Sequence, residues 1–196
     1  DLPCRLTLVP TNHFLWSVDE YKHWADGRKS LLMESFYREG RKRYGILMDD
    51  SKKKPVGGQW NYDKENRKPP KKTINPPPPH WFDPDETTQQ VMQAVAQMDT
   101  FGDVAPFGWA VTRTPAQQVL AHFIQVRLAT FGPYQDAMVT GEDTLWHALL
   151  SPYLNIGLLH PLEVIQAVAA AYYEQDLPLN SVEGFIRQVL GWREYM

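Results

Sequence analysis

Apolar positions in the last part of the chain recur at helical spacing. Val182, Phe185, Ile186, Val189 and Leu190 fall on one helix face. The run Asn180-Ser181-Val182-Glu183 ahead of them reads as a capping box that opens this terminal helix. The same period links Val119, Leu120, Phe123, Ile124 and Leu128, behind Thr114-Pro115-Ala116-Gln117, a cap followed by a proline. A further helix is expected from Pro161 through Val164, Ile165, Val168 and Ala169 to Tyr173. Asp83-Pro84-Asp85-Glu86 is a start signal as well, with Asp83 as the cap and Pro84 at the first helical position. Nothing from Asp83 onward alternates with the period of a strand.

The earlier residues are patterned differently. Arg5-Leu6-Thr7-Leu8-Val9, ended by Pro10, reads as a strand. A short helix is expected over residues 19–24, and a longer one over residues 30–44, closed by Gly45 as a C-cap. Lys52-Lys53-Lys54-Pro55 reads as a charged turn. The compact aromatic run 56–63 follows, and its paired Gly57 and Gly58 mark a close backbone approach or positive φ. Residues 64–80 hold Lys68-Pro69-Pro70-Lys71-Lys72 and then Pro76-Pro77-Pro78-Pro79. Consecutive prolines donate no backbone hydrogen bonds and favour an extended helix, so a stiff, exposed connector is expected, with a break in the fold. The fold class is therefore mainly α. Residues 1–63 are a piece of an α/β layer, 64–82 a basic Pro-rich linker, and 83–196 part of an all-α bundle.

Charge sharpens this division. The net charge of −3 conceals a basic first part and an acidic second. Residues 1–75 carry 16 Lys and Arg against 10 Asp and Glu, and residues 76–196 carry 4 against 13. The basic part could meet a nucleic acid backbone or be a solvated surface. The content of 43% hydrophobic residues is enough for a sizeable core. No apolar run reaches the roughly 20 residues that a bilayer requires. The single cysteine, Cys4, excludes an internal disulfide and a cysteine-ligated metal within this chain, and a reducing, cytoplasmic setting follows. With no initiator Met and a last residue inside a helical pattern, the chain reads as an internal piece of a longer protein.

Candidate chemistry gathers near the C-terminus. At about 100° per residue, Arg193 falls inside the apolar stripe of the terminal helix, where a guanidinium needs an anionic or polar partner. Two partners fit: an anionic cofactor, or an internal salt bridge to Glu163 or Asp136. Trp192 flanks the stripe, either as core or as a flat face for a ring. The stretch from His147 to Gly157 contains Ser151-Pro152, a helix start whose hydroxyl and backbone N–H groups cap a helix or suit a phosphate. The six histidines show no metal-ligand spacing, and no hydrolase or P-loop motif occurs.

Taken together, several runs are similar to those of the iron–sulfur bacterial cryptochromes and (6-4) photolyases. They are Met33-Glu34-Ser35-Phe36-Tyr37-Arg38-Glu39, residues 55–68 around Gly57-Gly58-Gln59-Trp60-Asn61-Tyr62-Asp63, Phe131-Gly132-Pro133-Tyr134-Gln135-Asp136-Ala137-Met138, residues 150–159, and residues 183–195 ending Gly191-Trp192-Arg193-Glu194-Tyr195. The resemblance covers nearly the whole chain. It implies a helical domain that holds FAD, a carbon–carbon lyase of the deoxyribodipyrimidine photolyase type in the parent protein, and repair of (6-4) photoproducts in UV-damaged DNA by an electron from reduced, light-excited flavin. The lesion is expected to be flipped into the flavin pocket.

By the same resemblance, Tyr134, His147, Leu149, Leu150, Ser151 and Arg193 contact the cofactor, and Gln188 and Trp192 line the lesion side. No catalytic residue and no metal ligand is expected within this chain. The 4Fe-4S cluster, the lesion-side histidines and the electron-transfer aromatics are expected beyond Met196, and the lumazine-type antenna site before Asp1. Alone, the chain is expected to bind FAD weakly. Ala148 stands where a small hydroxyl residue is common, and His160-Pro161 where Ser-Pro is common, so one cofactor hydrogen bond is expected to be missing and one helix cap weaker. The protein is expected to be a cytoplasmic monomer with no membrane contact. Two other readings stay open: a cryptochrome-like photoreceptor without repair activity, and a non-catalytic nucleic-acid-binding module.

Overall fold

A computed structural model of the chain describes residues 4–51, 53–70 and 74–195. Lys52, Lys71 and Lys72 of the basic runs lie outside them. The fold is mainly α: α1 Val18–Ala25, α2 Met33–Tyr44, α3 Glu86–Val95, α4 Arg113–Val126, α5 Leu128–Tyr134, α6 Ser151–Asn155, α7 Pro161–Gln175 and α8 Leu179–Ile186. Beyond α8 the chain continues as a π-helix over Arg187–Arg193. None of the helices among the described residues is long and apolar enough to cross a membrane.

Residues 5–9 form no strand, contrary to their pattern. Leu6, Leu8 and Val9 are 69%, 86% and 81% exposed. A strand needs a neighbour to accept its N–H groups, and the described residues contain only the isolated bridges Met48–Pro55 and Val139–Glu142. The α/β layer expected over residues 1–63 therefore has no sheet among the described residues.

The caps explain most differences in helix boundaries. In α1 the Ser17 hydroxyl accepts from Glu20 N (3.2 Å) and the Glu20 carboxylate accepts from Ser17 N (2.8 Å), a complete capping box. Helix α2 starts at Met33, not residue 30, and ends on Gly45 at φ 65 as expected. The cap of α3 is Asp85, whose carboxylate accepts from Thr88 N (2.8 Å), so Pro84 precedes the helix instead of opening it. Helix α4 begins after Thr112, which leaves Pro115 in the first turn, where its missing N–H has no helical partner to lose. The His160 ring caps α7 through Nδ1, which accepts from Leu162 N at 3.2 Å, so the substitute for serine still caps.

The expected capping box of α8 does not form. The helix starts at Leu179 behind Pro178. Ser181 and Glu183 are its third and fifth residues, both fully buried, and their polar atoms serve tertiary contacts. The Ser181 hydroxyl accepts from Gly132 N (2.9 Å) and donates to Ala129 O (3.0 Å), which locks α5 against α8. That contact requires glycine: a Cβ on Gly132 would sit 2.6 Å from Ser181 Cα.

Residues before and after the Pro-rich stretch share one hydrophobic cluster. Met33, Tyr37, Ile46 and Leu47 pack with Val119, Phe123, Phe131, Leu154, Val164, Ile165, Phe185 and Ile186. The stretch is extended but is not a free connector, and it does not part the described residues into separate cores. Pro76, Pro77 and Pro79 are half-buried. Lys68 N donates to Pro133 O (3.0 Å), and Pro77 O accepts from Arg127 Nη2 (2.6 Å). Prolines without donors still offer carbonyls, and the helical body supplies the donors.

Candidate functional site

The site is built by α5, the loop into α6, and the α8–π junction. Phe185 and Val189 place an apolar wall where α8 gives way to the π-helix, and Leu149, Leu150, Leu154 and Phe131 face it. Polar groups interrupt this lining: Gln135, Asp136, His147, Ser151, Asn155, Gln188 and Arg193. The open cleft has a volume of about 480 Å³, within the range of small-molecule and cofactor sites.

The π-helix is why Arg193 reaches this cleft. An α-helix turns about 100° per residue, which would place Arg193 in the core stripe with Val182 and Ile186. A π-helix advances only about 80° per residue. Over Arg187–Arg193 the lag swings Arg193 from the core to the cleft wall, on the side of Gln188 and Trp192. Arg193 does make an internal salt bridge, but with neither carboxylate expected to supply it: Glu163 pairs with Arg113 (2.6 Å), and Arg193 pairs with Glu194 (3.4 Å) and donates to His13 O (2.8 Å). Only Nη1 makes these bonds; Nη2 and Nε have no protein hydrogen-bond partner among the described residues. Burial works to depress the Arg193 guanidinium's pKa and Glu194 opposes it; a guanidinium remains a cation at any neutral pH.

The loop before α6 carries backbone strain. Leu145 and Leu149 adopt positive φ, 41° and 58°, a conformation that costs an ordinary residue about 1–2 kcal/mol. Arg127, 2% exposed, donates to His147 O at 2.9 Å and holds the loop in place. Burial pushes the His147 imidazole below its ordinary value, against a hydrogen bond that the ring donates to the Ala137 backbone, with the Arg127 charge adding to the depression and Asp136 opposing it. The ring is thus neutral at pH 7.

Seven of the eight residues singled out from sequence line this one cleft: His147, Leu149, Leu150, Ser151, Gln188, Trp192 and Arg193. Tyr134 does not; its ring stacks on Trp146 at 4.6 Å. The cleft also contains residues that the sequence reading passed over. Gln135 is the most telling, because its Oε1 is buried with no hydrogen-bond partner. Its position directly after Tyr134, in a run already singled out, was the available signal. Asn155 and Phe185 likewise lie in singled-out runs, residues 150–159 and 183–195.

The residues suit a large, partly anionic, planar ligand such as FAD. Apolar walls can enclose a ring system, and Arg193 has donors to spare for an anion. Among the described residues no group of three or more His, Cys, Asp and Glu is placed to hold a metal ion.

Behind the cleft, on the opposite side of α8, lies an ionic cluster that the sequence did not reveal. The Tyr37 hydroxyl donates to Glu183 Oε1 (2.9 Å), and Tyr62 N donates to Glu183 Oε2 (3.0 Å). Arg187 Nη2 donates to Asp63 (2.6 Å), which also pairs with Arg67. This cluster fastens the Gly-rich loop to the helix that forms the cleft wall.

Comparison with known proteins agrees with this picture. The family model described as deoxyribodipyrimidine photo-lyase-related protein matches residues 1–109. A (6-4) photolyase of Agrobacterium fabrum is 50% identical over 185 residues, which cover 93% of this chain and 36% of that protein. An uncharacterized protein of Acanthamoeba polyphaga mimivirus is 41% identical over 63 residues, 32% of this chain and 48% of that protein. The chain thus spans about a third of the length of the Agrobacterium fabrum protein.

Proposed function

The chain belongs to the deoxyribodipyrimidine photo-lyase-related family, and from that membership we propose that it carries part of the FAD site of a light-driven DNA lyase acting on (6-4) photoproducts. What supports the reading most is the shared cleft of Arg193 and the Ser151 loop, two groups far apart in sequence with unused polar capacity facing apolar walls. The relative of Agrobacterium fabrum is named for the same activity.

In this reading Arg193 offers Nη2 and Nε to the anionic part of the cofactor, and Ser151 and Asn155 supply neutral hydrogen bonds. Leu149, Leu150, Phe131, Phe185 and Val189 exclude water from the ring system, which strengthens each polar contact inside. The neutral His147 adds no positive charge beside the ring. Reduced FAD, when bound and excited by light, supplies the electron that opens the photoproduct. Gln188 and the 41%-exposed Trp192 stand at the cleft mouth, where a flipped base could stack on the indole. Tyr134 acts one layer out, bracing Trp146. Residues 83–196 belong to the FAD-binding domain, and residues 1–63, read as the end of the antenna domain, pack onto it through α2. The 4Fe-4S cluster, the lumazine-type antenna and a cytoplasmic, monomeric state are parts of the same proposal, as is UV-damaged DNA as the partner.

The test is titration of FAD with the chain, followed by fluorescence quenching. Quenching is expected, and Arg193→Ala is expected to weaken it about tenfold or more, the loss of a charge-assisted pair. The protein that carries the chain is then illuminated with blue light in the presence of an oligonucleotide containing a (6-4) photoproduct. Restoration of the bases supports the lyase, and flavin without repair supports a photoreceptor. No flavin under any condition, with salt-dependent binding of undamaged DNA, would turn the reading toward a nucleic-acid-binding module.

A further inference from the structure

Residues 13–16, ahead of α1, lie across the end of the π-helix beside the cleft. We infer that Glu194 is a positioning residue for the cleft: its buried carboxylate latches residues 13–16 onto the π-helix and so fixes the Arg193 guanidinium at the cleft wall. The inference rests on the flavin reading above.

The Glu194 side chain is 0% exposed. Its Oε2 accepts from Leu15 N (2.6 Å) and Trp16 N (3.1 Å), and its Oε1 lies 3.4 Å from Arg193 Nη1. The segment held in this way returns two contacts to Arg193. His13 O accepts from Nη1 at 2.8 Å, and the Phe14 ring lies 4.3 Å beneath the guanidinium carbon. The guanidinium is thus fixed through one nitrogen and one face, while Nη2 and Nε stay free of protein partners among the described residues.

Two further contacts keep the latch in register. The Tyr44 hydroxyl donates to Leu15 O at 2.8 Å. Gly157, at φ +76, leaves room for the His13 ring, whose Nε2 lies 2.7 Å from where a Cβ would stand. A carboxylate taken fully out of water is costly unless it is paired and hydrogen-bonded. Both conditions hold here only while residues 13–16 stay docked. Removal of the carboxylate would free the backbone of residues 13–16, and with it the carbonyl and ring that aim Arg193.

Three measurements on the full chain test this. First, hydrogen exchange in Glu194→Gln is expected to show the Leu15 and Trp16 amides losing protection by about tenfold or more, because they lose a charged acceptor. Second, FAD is expected to bind Glu194→Gln about tenfold more weakly, and Glu194→Gln combined with Arg193→Lys no more weakly than Arg193→Lys alone. Such non-additivity marks a residue that acts through its neighbour, whereas a merely structural loss would add. Third, Phe14→Ala trims a ring that is 44% exposed, so the fold survives it, and about 2–5-fold weaker FAD binding is expected from loss of the cation–π contact. Should Glu194→Gln not fold, this variant carries the test. Unchanged amide protection, additive losses, or Phe14→Ala binding FAD as tightly as the unaltered chain overturns the inference. If the unaltered chain takes up no FAD, it is the flavin reading that falls, and the latch stands or falls on amide protection alone.

Discussion

Glu183 is a carboxylate at 0% exposure in the middle of a helix, a position that no surface pattern explains. Its oxygens take the Tyr37 hydroxyl and the Tyr62 N–H, and Arg187 lies one helical turn on, 3.8 Å away. Glu183→Ala removes the acceptor from two buried donors and leaves Arg187 with Asp63 as its remaining partner. We expect a loss of about 2–4 kcal/mol from the two donors left unsatisfied, read as a lowered urea midpoint with an unchanged slope. Asp63 provides the pH dependence. Burial works to raise its carboxyl, but the hydrogen bond and charge of Arg187, with Arg67 behind them, hold it below the usual carboxylate range. The folded state therefore binds that proton more weakly than the unfolded chain. The resulting stability is fully present above the unfolded pKa of about 4 and is lost as pH falls through the depressed folded value. Glu183 has the opposite sign, because burial raises its carboxyl despite the bonds from Tyr37, Arg187 and Tyr62. Asp63→Asn isolates the first effect: stability against pH is expected to fall less steeply below about pH 4 than in the unaltered chain.

At the scale of elements, two devices set the cleft. One is the π-helix, which turns Arg193 out of the core stripe. The other is the close approach of α5 and α8 at Gly132 and Ser181, which brings Phe131 and Gln135 to the same opening as Phe185 and Val189. Gly132→Ala forces a methyl group against the Ser181 backbone, which cannot rotate aside as a side-chain tip can. A cost of about 1–3 kcal/mol is expected from overpacking, checked by chemical denaturation. The helices must part to admit the methyl group, so FAD affinity is expected to fall as well.

Across the whole molecule, Arg127 joins regions that are distant in sequence. One side of its guanidinium holds Pro77 O and the other holds His147 O, so the Pro-rich stretch and the strained cleft loop depend on one buried side chain. Arg127→Gln is too short to hold both carbonyls. Chymotryptic cleavage at Trp81 and Phe82 is expected to quicken, and FAD binding to weaken, as the loop at His147 relaxes. The charge division matches this organisation. The acidic second part of the chain forms the cleft, and its four basic residues, Arg113, Arg127, Arg187 and Arg193, all make hydrogen bonds to protein groups. The excess basic charge belongs to residues 1–75.

Periodicity alone was enough to identify the helical class, the buried faces of α4, α7 and α8, and the glycine closing α2. These follow from short-range rules: side chains three and four residues apart share a face, and only certain residues tolerate a helix end. The run at residues 5–9 met those rules for a strand and formed none, because a strand exists only with a partner. Ser181 and Glu183 met them for a cap and were buried instead, because α5 and α2 offered them better bonds than the helix end did. Seven residues named from sequence line one cleft, but that Arg193 faces it, and not the core, depended on a π-helix whose wider turn no local pattern announced. Sequence by itself determined which residues had to be hidden and which chemistry was on hand. Tertiary packing decided which partner each buried charge received, since that depends on groups more than a hundred residues away being brought within hydrogen-bond reach.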